Sequence, residues 1–401
     1  MDTSRKIEKF FDRIEPYMVV VIITAFIGIL CGLIGTLFIK ILDIFTDFRD
    51  IFNYIIVLMP IIGVAIVFIH KSFKCEENGE KMIHDTIVKE QDVPGYMAPI
   101  LFVTTALSHL AGAAVGKLEA PIKIGGSIGN SISKMFGLKN IDRKTVIASG
   151  VAALFGSVFG APITGTVLSY ELCYTKENKK PIYLLPILVS AYFARFIGFA
   201  FGTNSFIDRL VFLSHAQFSI KDIFLIIILI AVCSVFAIIF VQTLKYTDKL
   251  FKKINNEYIR IVIGSLIMMG CVLLIGNTLF CGNDPSLVAS ALKDNSMWYT
   301  FILKALLTGL CLAIGFRGGA IGPAVISGAT LGILLASLLG INLFMGAAIG
   351  AVCLFGGITG CYVSAIALGV EVFGLKALVF YVLIALIIRV LIKYEYIDKK
   401  F

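Results

Sequence analysis

The sequence predicts an all-α integral membrane protein, built as an inverted repeat of many tilted and discontinuous helices. Three observations predict it. The 401 residues are 58% hydrophobic and only 15% charged, with a mean hydropathy of +0.94, whereas a soluble domain carries about 25% charged residues. Apolar runs follow one another along the whole chain, several long enough to cross a bilayer with tilt. Blocks of similar sequence recur about 200 residues apart, each containing a short helix interrupted by Gly or Pro.

Each element can be justified in order. Residues 1–14 open the charged stretch "MDTSRKIEKFFDRIEPY" and read as an amphipathic segment at the cytoplasmic interface rather than a signal peptide. Apolar segments then begin near Met18, Ile51, Tyr96, Thr145 and Ile182. In the second half they begin near Ile223, Ile259, Trp298, Gly322, Asn342 and Ala377. The formal charge of +9 sits in short loops: His70–Lys81, Thr175–Lys180, Lys245–Lys253 and the tail Lys393–Lys400. That is the pattern of membrane orientation with both termini cytoplasmic. It is not a basic face for nucleic acid, which needs a soluble surface.

The repeat is legible in two blocks. "GAPITGTVLSYEL" (Gly160–Leu172) matches "GCYVSAIALGVEV" (Gly360–Val372) at an offset of 200, with Glu171 on Glu371. "APIKIGGSIG" (Ala120–Gly129) matches "GPAVISGATLG" (Gly322–Gly332) at an offset of 202, with Pro121 on Pro323 and Gly126 on Gly328. The expected units are residues 15–202 and an inverted copy over 203–401, with no cytoplasmic regulatory domain.

Proline at a first helical position leaves free N–H groups at a helix start, and with the helix dipole these favour an anion. Pro121 and Pro323 each open such a helix in mid-chain, and the repeat points both at one centre. Asn78–Asp85 is a third candidate start. The composition therefore predicts a small anion held mainly by backbone groups inside the membrane.

These stretches resemble the CLC family of chloride channels and transporters. "GAAVGKLEAPIKIGGSIG" is similar to its G-[RK]-E-G-P signature, "GFRGGAIGPAVISGATLG" to its G-G-x-F-x-P signature, and "FGSVFGAPITGTVLSYEL" to its proline-led helix ending in glutamate. The second is closer still to the form seen in the bacterial fluoride-exporting branch. The resemblance implies a CLC-type fold, a homodimer with one anion pathway per subunit, no cofactor and no enzymatic activity. It also implies a gating glutamate whose carboxylate competes with the permeating anion. Counted from Gly116 and Lys117, or back from Gly125 and Gly126, that position is Leu118. Counted from Pro121, or through the repeat, it is Glu119. Proline fixes a helix start more firmly than glycine, which favours Glu119.

By the same resemblance the anion would be faced by Glu80, Lys81 and Met82, by Lys117, by Ala320 and Ile321, and by a pore tyrosine, Tyr396 or next Tyr394. Departures bear on mechanism. Glu80 is a poor neighbour for chloride unless it turns away or pairs with Lys81. Leu172 stands where many proton-coupled members carry a second glutamate, and Ala320 where the fluoride branch often has an acidic residue. Protons cross an apolar interior only along titratable groups. The expected function is thus a transmembrane pathway for chloride or a similar monovalent anion, a channel or uncoupled transporter. The alternatives are a fluoride/proton antiporter and a CLC-fold membrane protein that has lost transport.

Other residue types carry less. The Cys lie singly and without C-x-x-C spacing, and the four His are scattered, so a metal site is not expected. Trp298, Tyr54, Tyr96, Tyr183 and Tyr299 read as interfacial anchors. Glu171 and Glu371 read as structural carboxylates on matching faces, capping or near a dimer contact.

Overall fold

The computed structural model describes residues 2–73, 94–173, 181–208, 210, 219–276, 278–282, 285–293 and 298–393. Among them the regular structure is helical, as a lipid environment requires when strands cannot close into a barrel. The first half contains α1 (Asp2–Ile51), α2 (Met59–Ser72), α3 (Met97–Leu110), α4 (Glu119–Met135), α5 (Asn140–Phe159), α6 (Pro162–Cys173) and α7 (Leu184–Ala200). The second contains α8 (Ile223–Phe251), α9 (Glu257–Ile275), α10 (Ser286–Lys293), α11 (Thr300–Ile314), α12 (Ile321–Leu339), α13 (Leu343–Thr359), α14 (Tyr362–Phe373) and α15 (Leu378–Lys393).

Residues 2–14 continue without a break into the first long helix. α1 runs unbroken for 50 residues, about 75 Å at 1.5 Å per residue, against a hydrocarbon core of about 30 Å. Helices long and apolar enough to cross a membrane include Tyr17–Ile51, Ile220–Phe251, Glu257–Ile275 and Ile321–Leu339. Their outward faces carry exposed apolar side chains such as Ile22, Phe26, Phe224, Val235, Leu266 and Leu274. Residues 345–359 of α13 and 145–159 of α5 are instead enclosed on all sides. A helix apolar all round belongs inside such an assembly, and Phe159 of α5 meets Phe355 of α13 with ring centroids 6.3 Å apart.

Glycine sets how closely the inner helices approach. A Cβ at Gly125 would overlap the Gly150 carbonyl, bringing α4 and α5 into backbone contact. A Cβ at Gly328 would likewise overlap Gly350, joining α12 to α13. Without a hydrophobic drive between helices in lipid, such close backbone packing is what holds them together. These contacts correct the register read from sequence. Gly125, not Gly126, plays the part of Gly328, an offset of 203.

Helix ends repeat the same correspondence. The chain turns away from α3 at Gly112 (φ 81), two residues past its end, and from α11 at Gly315 (φ 114), the left-handed conformation that glycine adopts without strain. After each, a returning N–H caps the helix: Ala113 N donates to Ser108 O at 3.0 Å and Phe316 N to Cys311 O at 3.1 Å. These pairs are again 203 apart.

Candidate functional site

The segments after α3 and α11 meet at the start of the next helix in each half. Gly116 N donates to Gly319 O at 2.6 Å and Gly319 N donates to Gly116 O at 2.8 Å, a two-bond antiparallel bridge. Glycine is required on both sides. A Cβ at Gly116 would lie 2.6 Å from Pro323 Cδ, and one at Gly319 would lie 2.5 Å from Glu119 Cβ. The bridge therefore sets two helix N-termini, α4 and α12, side by side within the protein.

Both starts are buried and neither has a side-chain cap of its own, for the cap positions are Leu118 and Ala320. Pro121 and Pro323 each stand third in their helix rather than first. The chemical consequence is unchanged, since the first four N–H groups of a helix have no partner within it. Glu119 is the first residue of α4 and is 6% exposed. Its Oε1 accepts from Ala320 N at 2.9 Å. A carboxylate from one helix start thus occupies the donor at the other, where the dipole favours negative charge.

The remaining expected residues fall as follows. Leu118 is fully buried at the N-cap of α4, Ile321 is fully buried at the first position of α12, and Lys117 is 5% exposed in the turn between bridge and helix. The structure brings Lys117, Leu118, Glu119, Ala320 and Ile321 together. Glu80, Lys81, Met82, Tyr394 and Tyr396, and the candidate start Asn78–Asp85, lie outside the described residues.

Glu171 and Glu371 bind each other's helices. Glu371 accepts from Ile163 N (2.9 Å), Thr164 N (2.7 Å) and Thr164 Oγ1 (2.7 Å) at the start of α6. Glu171 accepts from Val363 N (3.4 Å), Ser364 N (3.1 Å) and Ser364 Oγ (2.8 Å) at the start of α14. Each helix caps the other with the carboxylate at its own far end. Four residues escaped the sequence reading: Ser108, Cys311 and Thr308, which bind the bridging segments from the side, and Arg195, which holds Asp208. Only the side-chain chemistry of Ser108 and Thr308 hinted at such a part.

A sequence model of the family described as voltage gated chloride channel matches residues 80–393. The chain belongs to the CLC family. It is 29% identical over 366 residues to a chloride/fluoride channel protein of Pseudomonas syringae pv. tomato, covering 87% of this chain and 78% of that one. To a proton/chloride exchange transporter of Klebsiella pneumoniae it is 22% identical, covering 81% and 74%. The fold matches the crystal structure of a CLC-type fluoride/proton antiporter with a TM-score of 0.84 at 25% identity, over 93% of this chain and 94% of that one. It also matches a slow cyanobacterial chloride/proton antiporter with a TM-score of 0.79 at 19% identity, over 94% of each. This CLC protein is therefore an integral membrane anion transporter in the broad sense, not an enzyme.

Proposed function

We propose that this protein is a passive pathway for chloride or fluoride in the cell membrane, closed when Glu119 is ionised and seated on Ala320 N. The observation that carries the reading is that hydrogen bond, at 2.9 Å between two buried helix starts without caps of their own. An anion arriving there competes with the carboxylate for one donor. Like-charge repulsion keeps it out until Glu119 swings away or takes a proton. The passive character is supported by Leu172, half-buried on α6 where a relay acid would stand, and by Glu171, whose carboxylate is committed to the α14 start. Both termini would be cytoplasmic, the subunits would pair, and residues 15–202 and 203–401 would form the two inverted units.

Reconstituted liposomes loaded with chloride, fluoride or nitrate, with a pH dye present, test this. Downhill halide efflux without uphill proton movement is expected. Glu119→Gln should speed efflux and abolish its pH dependence. An unchanged rate would move the gate to Leu118 or elsewhere. A second reading, coupled fluoride/proton exchange, is favoured by the fold match to an antiporter of that kind. It predicts that a fluoride gradient drives protons uphill through the wild-type protein.

A further inference from the structure

The two segments that carry the bridge are held from the side by a matched pair of side chains with different acceptor atoms. Arg317 N donates to Ser108 Oγ at 2.9 Å, and Ala114 N donates to Cys311 Sγ at 3.3 Å. Residues 108 and 311, like 114 and 317, are 203 apart, the offset that also relates Gly116 to Gly319. The two bonds are therefore mates under the internal repeat, and the chain has placed oxygen in one and sulfur in the other. Ser108, Cys311 and Ala114 are fully buried, and Arg317 is half-buried. The Ser108 hydroxyl proton is committed to Thr104 O at 2.8 Å, which turns a lone pair toward Arg317 N.

Geometry makes the acceptor atom a spacer. An N–H···O contact settles near 2.9–3.0 Å, and sulfur is larger, so the cysteine sets its backbone segment farther out than a serine would. Ala114 is two residues before Gly116 and five before Glu119. Arg317 is three residues before Ala320. A change in either spacer moves a helix start relative to its neighbour. The two halves also differ in a second contact. Thr308 Oγ1 donates to Ala114 O at 2.8 Å, whereas the buried hydroxyl of Thr105, its mate, has no partner among the described residues. Segment 111–118 is thus gripped at both polar groups of Ala114, and segment 315–320 at Arg317 N by Ser108.

We infer that Ser108 and Cys311 are positioning residues that set the gap between the α4 and α12 N-termini, and with it the size of halide the pathway prefers. The inference rests on the halide reading above. Neither side chain touches the anion. They act by placing the backbone that does.

The test is the ratio of fluoride to chloride efflux from liposomes for Cys311→Ser, Ser108→Cys and the swapped double variant. Cys311→Ser draws Ala114 toward α11 and should raise the fluoride preference about three-fold, because a tighter site favours the smaller ion. Ser108→Cys pushes the 315–320 segment outward and should lower it by a similar factor. The double variant should return toward the wild-type ratio. A purely structural role would alter thermal stability and total rate but leave the ratio alone. Ratios equal to wild type in folded single variants, or shifted in the same direction, overturn the inference. If Ser108→Cys does not purify as a folded protein, Ser108→Ala, which frees Arg317 N, must still shift the ratio opposite to Cys311→Ser. Absence of any halide efflux from the wild-type protein would count against the halide reading instead.

Discussion

Replacing Glu371 by glutamine should destabilise the protein more than the same change at Glu171, although the two sites are mates 200 residues apart. Glu371 accepts three hydrogen bonds of 2.7–2.9 Å, while the Glu171 set runs 2.8–3.4 Å. A net hydrogen bond to a charged group is worth about 1.5–3 kcal/mol, and loss of an N-cap costs about 0.5–2 kcal/mol. Glutamine keeps one carbonyl acceptor but removes the charge and turns an NH₂ toward backbone donors. The expected cost is about 2–4 kcal/mol for Glu371→Gln and about 1–2 kcal/mol for Glu171→Gln. Because both carboxylates join the same two helices, the double variant should cost less than the sum of the single changes. Thermal unfolding of detergent-purified protein, scanned at one rate, gives the ranking even where unfolding is irreversible. A melting temperature for Glu371→Gln equal to wild type would refute the reasoning, as would Glu171→Gln proving the more harmful.

Other predictions follow from single contacts. Glu119→Gln loses a charge-assisted bond to Ala320 N of about 1.5–3 kcal/mol, so opening should speed by roughly ten- to a hundred-fold in halide efflux if departure of the carboxylate limits the rate. Gly319→Ala puts a methyl into the Glu119 side chain. It should raise efflux at neutral pH while a titratable group remains, so a smaller pH dependence than wild type, rather than none, is the expected profile. Gly125→Ala drives a Cβ into the Gly150 carbonyl, which should separate α4 from α5 at a cost of about 1–3 kcal/mol, read as a lower melting temperature. In the loop after α7, burial acts to raise the Asp208 carboxyl, but bonds from Ser205 Oγ, Arg195 and Ser205 N, with the Arg195 charge, hold it below the usual carboxylate range. Its stabilisation is therefore present above about pH 4 and lost as pH falls through the depressed value. Asp208→Asn should flatten the acid limb of a stability–pH curve.

Much of this fold was legible because membrane chains advertise their spans. Segments read as starting near Thr145, Ile223, Ile259 and Asn342 fall within a few residues of the starts or buried faces of α5, α8, α9 and α13. The Glu171–Glu371 match was visible as a sequence offset, but reciprocal capping was not, since nothing local says which distant N–H a carboxylate will reach. The glycine register was misread by one for a physical reason. Gly125 and Gly126 are adjacent, and only the crossing with Gly150 distinguishes the one that faces α5. Ser108 and Cys311 were illegible as a pair because serine and cysteine share no motif. Their equivalence lies in the geometry of the bonds they accept.

The two registers that divided Leu118 from Glu119 coexist in the structure. Residues that make matching contacts in the two halves keep an offset of 203: Gly116 with Gly319, Ala114 with Arg317, Gly125 with Gly328. Helix starts keep 202: α4 begins at Glu119 and α12 at Ile321, each with proline third. The bridge therefore stands one residue farther from the start of α4 than from that of α12. By position along the bridged backbone Leu118 corresponds to Ile321, and both are sealed in the core. Glu119 corresponds to Gly322, one step along the helix, and from there its carboxylate reaches Ala320 N. On the proposed reading, what matters for an anion is the donor that is occupied, so the residue to neutralise is Glu119. If Leu118→Glu with Glu119→Leu restored a pH-dependent pathway with the same halide preference, the carboxylate's placement would be interchangeable between the two positions, and the helix start would have no say in the gate.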